Sequence, residues 1–266
     1  MNFSIPLFLA YLNDTIENTL KGNRETFEEL LGGEKNMERP CSSILVVVAT
    51  LNEEEGIGPT LEELQKVMTN YHLVVVDGNS VDKTVEIAKN MGANVLLQEG
   101  KGKGNALFQG VKSLSVNARY VVFIDADFTY PAEYVPKMIE ILEYNPDVGM
   151  VIGNRFNGVH NFTKSVTNLF YVGNRLLAFA QHVVNRIKLE DPLSGLRAVR
   201  SEIFNHWNPK SNGFDVEVEM NAVVGRTGYR IVEIPIRYRR RLGEKKLKLR
   251  HGFGILKRIL AESFRI

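Results

Sequence analysis

The sequence predicts an α/β protein built on a mostly parallel sheet flanked by helices. Three observations lead there. From Ser43 onward, short runs rich in β-branched residues alternate with amphipathic helical patterns. The runs are apolar throughout rather than alternating with polar residues, as strands buried on both faces are. The chain has 266 residues, 44% hydrophobic and 24% charged, enough to bury a core between helical layers without covalent staples.

The elements follow in order. Residues 1–40 read as a separate N-terminal helical extension: Phe8–Leu31 has helical apolar spacing and Gly32-Gly33 ends it. Met37 stands just before the first strong strand and is an alternative translation start, which would leave residues 1–36 untranslated. Strand runs come at Ile44–Ala49, Leu73–Val76, Val95–Leu97, Tyr120–Ile124 and Gly149–Ile152. Helical patterns lie between them at Ile57–Thr69, Asp82–Met91, Asn105–Leu114 and Pro131–Tyr144, the alternation of right-handed βαβ crossovers. A long amphipathic segment, Val166–Ile187, a strand at Arg230–Tyr238 and an amphipathic basic segment at 248–266 complete the chain. The domain reading is 1–40, 41–247 and 248–266.

Composition excludes several classes. The single cysteine, Cys41, supports neither a disulfide framework nor a cysteine-cluster zinc site, and fits a reducing compartment. No apolar run reaches the roughly 18 residues of a membrane span. Ile5–Leu12 is apolar, yet no basic residue precedes it and no cleavage site follows, so it is not read as a signal peptide. The net charge of +2 hides an asymmetry: Arg226–Ile266 holds 13 Lys+Arg against 3 Asp+Glu. Such a tail suits a phosphate-bearing partner or an anionic surface, with a solvated face as the plain alternative. No nucleic-acid recognition motif accompanies it, so no nucleic acid is expected.

In parallel sheets ligands bind at the carboxyl ends of the strands. Here those ends carry Thr50-Leu51-Asn52-Glu53, Asp77-Gly78-Asn79-Ser80, Asp125-Ala126-Asp127 and Gly153-Asn154-Arg155. Each alone reads more readily as turn or cap chemistry; four ends that agree point to a site. Asp125 and Asp127 form a hard oxygen pair suited to Mg²⁺ or Mn²⁺, ions that take their remaining ligands from phosphate and water. Gly102-Lys103-Gly104-Asn105-Ala106 opens a helix and is either a phosphate-approaching N-terminus or an ordinary glycine turn. Asp191-Pro192-Leu193-Ser194-Gly195-Leu196-Arg197 offers Asp191 as a base or acceptor-orienting group, or else a helix-to-strand turn. Arg241-Leu242-Gly243-Glu244-Lys245-Lys246-Leu247 places mobile cations beside a glycine, fit to close over a diphosphate.

From about Ser43 to Leu247 the chain resembles the family 2 glycosyltransferases of the GT-A, Rossmann-like fold. Within them it is most similar to the dolichyl- or polyprenyl-phosphate hexosyltransferases, including archaeal members that begin N-glycan lipid assembly. Ala49 through Glu53 matches Pro-x-x-Asn-Glu, and Asp77 through Thr84 matches Asp-Asp-Gly-Ser-x-Asp-x-Thr. Asp125-Ala126-Asp127 matches the metal motif, Asp191 through Arg197 matches Asp-x-x-Ser-Gly-x-Arg, and Arg241 through Leu247 resembles Arg-x-Gly-Glu-Ser-Lys-Leu. Four departures stand out: Ala49 for proline, Gly78-Asn79 for Asp-Gly, Thr129 where mannosyl members often carry glutamine, and Lys245 for serine.

The resemblance implies an inverting, metal-dependent transfer of a hexose from a nucleotide sugar to a polyisoprenyl phosphate. The Gly-Lys-Gly-Asn-Ala stretch favours a UDP-glucose or UDP-GlcNAc type of donor. A GDP-mannose-dependent mannosyltransferase, a soluble enzyme using a small phosphorylated acceptor, and a catalytically silent sugar-nucleotide-binding subunit are the rival readings. It implies a nucleotide-sugar site of Thr50, Asn52, Glu53, Asp77, Lys103, Asp125, Ala126, Arg241 and Lys246, with Asp77 on the nucleobase and Glu53 on ribose or base. Asp125 and Asp127 would hold Mg²⁺ or Mn²⁺. Asp127, Asp191 and Arg155 form the catalytic set, and Arg155, Arg175 and Arg197 would receive the acceptor phosphate. A lipid acceptor implies a peripheral position on the cytoplasmic face of the cell membrane. On a helical wheel Phe253, Ile255, Leu256, Ile259, Leu260, Phe264 and Ile266 share one side, which reads as an interfacial helix or as one packed on the core.

Overall fold

The computed structural model describes residues 43–113, 118–156, 169–205, 207–246, 248 and 251–264, with side chains in the helix opening at Leu169 described from Tyr171. The extension expected over 1–40 lies outside the described residues. The strands are β1 Ile44–Thr50, β2 Tyr71–Asp77, β3 Asn94–Leu97, β4 Tyr120–Phe123, β5 Val148–Asn154, β6 Arg197–Arg200 and β7 Arg230–Pro235. The helices are α1 Glu54–Val67, α2 Thr84–Asn90, α3 Lys103–Lys112, α4 Val135–Tyr144, α5 Leu169–Asn185, α6 Val216–Arg226 and α7 His251–Glu262.

The strands form one sheet in the order β3-β2-β1-β4-β6-β5-β7. All neighbours run parallel except β6, which is antiparallel to both β4 and β5. The period-2 alternation of a strand explains why the apolar runs are continuous. In β1, Val46 and Val48 pack with Ile57, Leu61 and Leu64 of α1 and Met138 and Leu142 of α4. Leu45 and Val47 face the other way, onto Ala106 and Leu107 of α3 and Met220 of α6. The sheet is covered on both sides and its carboxyl rim is left for loops.

Two elements escaped the sequence reading, β6 and α6. β6 begins and ends in arginine, yet Arg197 and Arg200 are buried. Their guanidinium groups donate to main-chain carbonyls, Arg197 to Ser194 and Pro192 and Arg200 to Val148, Leu142 and Asn145. These carbonyl dipoles stand in for water around the buried charges, and the carboxylates of Glu217 and Asp191 lie near enough to favour the Arg197 charge. In α6, Glu217, Glu219 and Asn221 are buried as well, which blurs its amphipathic pattern.

The C-terminal helix divides its apolar face. Ile255 and Ile259 of α7 pack with Ala180 of α5 and Val218 of α6. Arg258 turns inward to Asp215 and Glu262 rather than to water. Phe253 and Phe264 remain 80% and 87% exposed, with Leu256 and Leu260 also exposed between them. The segment is therefore packed on the core along one stripe and exposed along the next. Ile266 lies outside the described residues.

Candidate active site

The chain after β4 builds the centre of the rim. Asp127 is 5% exposed. Its Oδ1 accepts from the main-chain N–H and the hydroxyl of Thr129, at 3.1 and 2.5 Å. Burial, then the neighbouring Asp125, pushes its carboxyl above the usual aspartate value. Asp125 Oδ1 meets Lys103 Nζ at 2.7 Å, and the same ammonium meets Glu217 at 2.7 Å. Burial alone would lower the Lys103 value, but the two carboxylates hold it well above that of a free lysine. Lys103 is thus a fixed cation beneath Asp125. Ala126 is buried and accepts the Thr60 hydroxyl, while the N–H of Phe128 donates back to that hydroxyl. Phe128 has a left-handed φ of 64° and lies under the Arg239 guanidinium at 3.9 Å. Arg239 is clamped in turn by both oxygens of Glu63.

The segment after β7 crosses this centre. The N–H of Arg239 donates to Thr129 O and that of Leu242 to Asp127 O, at 2.9 and 3.1 Å. The Arg241 guanidinium bridges Asp127 Oδ2 and Glu53 Oε1. Lys246 Nζ reaches Glu53 Oε1 at 2.7 Å and Asn52 O at 3.0 Å. Glu53 Oε2 is buried and has no partner among the described residues, and burial raises the Glu53 carboxyl despite its two cations. Lys245 is held below the ordinary lysine value by burial and by Arg155 and Arg241. Carboxylates and cations from distant parts of the chain therefore meet at one rim.

Arg155 follows β5 and is gripped by Asp191. Its Nε and Nη2 donate to the two Asp191 oxygens at 2.7 and 2.6 Å, and its N–H donates at 3.0 Å. Burial would lower the Arg155 value, but Asp191 raises it well above the ordinary one. Asn174 of α5 donates to Asp191 Oδ1 at 3.0 Å. The Asp191 side chain is fully buried and accepts all four bonds, so it positions Arg155 and has no free oxygen to act as a base. Glu233 of β7 takes the N–H groups of Glu190 and Asp191, both at 2.7 Å. Its burial raises the carboxyl to about 8. The Tyr238 and Phe156 rings each lie 5.5 Å from the Arg155 guanidinium, and Tyr130, stacked edge-on to Tyr238, accepts the N–H of Gly195.

Other expected site residues serve the frame. Asp77 is fully buried, with Oδ1 accepting from the Thr50 and Ser80 hydroxyls and Oδ2 from the Ser80 N–H. It knits β1 to the turn after β2 rather than offering an open oxygen to a base. Thr50 is consumed by that bond. Asn52, at a φ of 50°, accepts the Val81 N–H and joins the same two turns. Arg175 is 3% exposed and donates to Glu190 O, and Arg197 is 1% exposed and engages Pro192, Ser194 and Asn221. Both guanidinium groups are committed to the interior, which removes them from the acceptor-phosphate set expected above. The glycines of 102–104 also have another use. Gly102 has a φ of 93°, and a Cβ there would stand 1.9 Å from Asn212 O; one at Gly104 would stand 2.3 Å from Ser211 O. They admit a neighbouring main chain, which gives the glycines a structural reason of their own.

The sequence reading missed Glu217, Glu233 and Tyr238. Each is an ordinary residue in its local segment, and its role arises only from elements far apart in the chain. Lys245 was visible as a departure from the family pattern.

The site is thus an open, mostly parallel sheet with paired carboxylates and basic side chains gathered over its carboxyl rim. Residues 45–207 match the family model described as glycosyl transferase family 2. The chain belongs to that family and is an enzyme, a glycosyltransferase. It is 34% identical over 212 residues to a dolichyl-phosphate hexose transferase of Haloferax volcanii, covering 79% of this chain and 89% of that one. It is 29% identical over 238 residues to a dolichol-phosphate mannosyltransferase of Pyrococcus furiosus, covering 80% of this chain and 64% of that one. Among solved structures, glucosyl-3-phosphoglycerate synthase from Mycobacterium tuberculosis, crystallised with Mn²⁺, UDP and glucosyl-3-phosphoglycerate, superposes with a TM-score of 0.67 at 21% identity over 86% of this chain and 87% of that one. The fold is that of the GT-A glycosyltransferases.

Proposed function

We propose that this enzyme transfers a hexose from a nucleotide sugar to a polyisoprenyl phosphate, with inversion at the anomeric carbon, in the assembly of a lipid-linked glycan. The observation that supports it best is the meeting of Asp125 and Asp127 with Arg155, Arg241, Lys245 and Lys246 at one rim. This is a surface for two anionic groups, the donor's diphosphate and the acceptor's phosphate. The Haloferax relative, named for hexose transfer to dolichyl phosphate, supports the same acceptor here.

Asp125 and Asp127 fit a divalent cation, Mg²⁺ or Mn²⁺. Both are hard oxygen donors, and in this structure each already draws a protein cation, Lys103 and Arg241 respectively. Bound there, the ion would neutralise charge on the departing nucleoside diphosphate. Lys103, fixed under Asp125, and the Arg241–Lys246 segment add positive charge along the same path. Arg155, held by Asp191, presents the forked donor that suits the acceptor phosphate. A phosphate monoester has a second pKa of about 6 and is largely ionised near neutrality. The attacking oxygen then needs placement more than deprotonation, which agrees with a sealed Asp191. Attack on the face opposite the nucleotide forms the new C–O bond as the old one breaks and inverts the anomeric carbon.

The acceptor's tail places the reaction at a membrane. Among the described residues no helix is long and apolar enough to cross one. Exposed Phe253, Leu256 and Leu260 on α7, Phe264 just past its end, and exposed Val172 and Leu176 on α5, the helix α7 packs against, support peripheral contact with the cytoplasmic face. The donor is assigned to the UDP-sugar type on the family resemblance. A matrix of UDP- and GDP-sugars against polyprenyl phosphates and 3-phosphoglycerate, with and without EDTA, tests the whole reading. EDTA-sensitive label in the lipid extract supports it; label passing only to the small acceptor replaces it with the soluble-acceptor reading.

A further inference from the structure

Phe128, the residue after Asp127, has a φ of 64°, in the left-handed region where a bulky side chain is a genuine outlier. Such strain persists only where the surroundings enforce it, and it gathers at functional sites. Here α1 and the segment after β7 enforce it. The Phe128 N–H donates to the Thr60 hydroxyl of α1 at 3.1 Å. The ring lies against the Arg239 guanidinium, 3.9 Å from the ring centroid. Glu63 of α1 grips Arg239 in turn, its Oε1 and Oε2 accepting from Nη1 and Nη2 at 2.7 and 2.6 Å. That bonding holds the Glu63 carboxyl below the usual glutamate value, so the pair stays ionic near neutrality. The Arg239 N–H also donates to Thr129 O at 2.9 Å, on the far side of the turn. The reversal at Phe128 brings Thr129 back over Asp127. Its N–H and hydroxyl occupy Asp127 Oδ1 and leave Oδ2 to the rim, where Arg241 meets it. Glycine would take this φ freely, whereas phenylalanine brings a ring that Arg239 can press upon.

We infer that Arg239, backed by Glu63, is a positioning residue for the metal site: it presses on the Phe128 ring and so holds the left-handed turn that keeps Asp127 Oδ2 toward the rim. This rests on the proposed metal role of Asp127. Arg239 and Arg241 then divide the work of one segment. Arg241 meets the Asp127 carboxylate itself, and Arg239 braces the turn that orients it. The brace needs a planar, forked cation, which can lie on a ring and engage both oxygens of a carboxylate at once.

Mn²⁺ binding at saturating UDP, read by electron paramagnetic resonance, tests it. Arg239→Lys lowers the Mn²⁺ affinity at least about tenfold, as loss of a group that orients a metal ligand does. Phe128→Ala falls with it, because alanine disfavours this φ and carries no ring to press. Phe128→Gly takes the φ without a brace and stays within about threefold of wild type. Adding Phe128→Gly to Arg239→Lys therefore restores the affinity to within about threefold of wild type. UDP affinity in EDTA is the same in every variant. Wild-type Mn²⁺ affinity in Arg239→Lys and Phe128→Ala, with only the melting temperature lowered, overturns the assignment and leaves the contact a purely structural one. A double variant no better than Arg239→Lys overturns it as well, and so does an equal loss of UDP affinity in EDTA. Each of these outcomes leaves the metal reading standing. A wild-type protein that binds no Mn²⁺ beside UDP removes that reading and this inference with it.

Discussion

Gly56 lies in the first turn of α1, directly against the loop that carries the two candidate metal ligands. A Cβ there would stand 2.5 Å from Ala126 O, 2.7 Å from Asp127 Cα and 3.0 Å from Asp127 C. The shortest is about 0.9 Å inside a normal contact of roughly 3.4 Å. All three neighbours are main chain, so no side-chain rotation relieves the clash. Gly56→Ala must therefore move the Asp125–Asp127 loop away from α1, stretching the bonds through Thr60. Overpacking of this kind costs about 1–3 kcal/mol, or roughly 2–10 °C in Tm for a chain of this size. A displacement near 1 Å at a reacting centre lowers turnover by about 10- to 100-fold. Gly58→Ala on the same helix is the control, because its Cβ meets only Ile87 Cγ2 at 3.4 Å. That variant should keep full activity and gain up to about 1 kcal/mol in helix propensity. Sugar transfer at fixed Mn²⁺ and thermal melting of both variants give the comparison. Equal turnover and equal melting temperature for the two would refute the claim that the loop is held in place by this close approach.

Asp191→Asn should release Arg155, raising the acceptor KM or lowering kcat by about 100-fold while nucleotide affinity stays unchanged; a matching loss of nucleotide affinity would show that Asp191 serves the donor instead. Glu233 titrates at about 8 in the folded chain against an ordinary 4.5, so its contribution to stability is complete below pH 4.5 and is lost as pH rises through 8. Thermal melts should show that decline across pH 4.5–8.5, and Glu233→Gln should flatten it even though its absolute Tm is lower; an unchanged slope would assign the decline elsewhere. The double substitution Phe253→Asp and Leu260→Asp should abolish flotation with anionic liposomes while leaving transfer to a short, water-soluble acceptor phosphate intact, and flotation that persists would move the membrane contact off α7.

The sheet was readable because strands covered on both faces leave unbroken apolar runs, and β1, β2 and β5 match theirs to within two residues at either end. β6 was not, because its two arginines are taken inside: Arg197 by the nearby carbonyls of Pro192 and Ser194 and by Asn221, and Arg200 by carbonyls of Leu142, Asn145 and Val148, far away in sequence. At the site, local spacing picked out Asp125, Asp127, Arg155 and Arg241, and the structure brings them to one rim. What spacing cannot carry is direction. Asp77 and Arg197 match family positions and Arg175 was a candidate for the acceptor phosphate, yet their polar atoms turn into the frame. The partners that fix the working groups, Glu217 beneath Lys103 and Glu233 behind Asp191, sit in segments with no local signature. The Gly102-Lys103-Gly104 pattern likewise records the passage of residues 211–212, a neighbour invisible from the stretch itself.

The central claim is that Asp125 and Asp127 draw a divalent ion together with a nucleoside diphosphate. UDP titration of wild-type enzyme and Asp127→Asn, each with Mn²⁺ and with EDTA, addresses it most directly. Wild-type affinity should fall at least about tenfold on chelation, and Asp127→Asn should bind weakly in both buffers. Wild-type affinity indifferent to EDTA, or a metal-enhanced affinity that survives in Asp127→Asn, would contradict it.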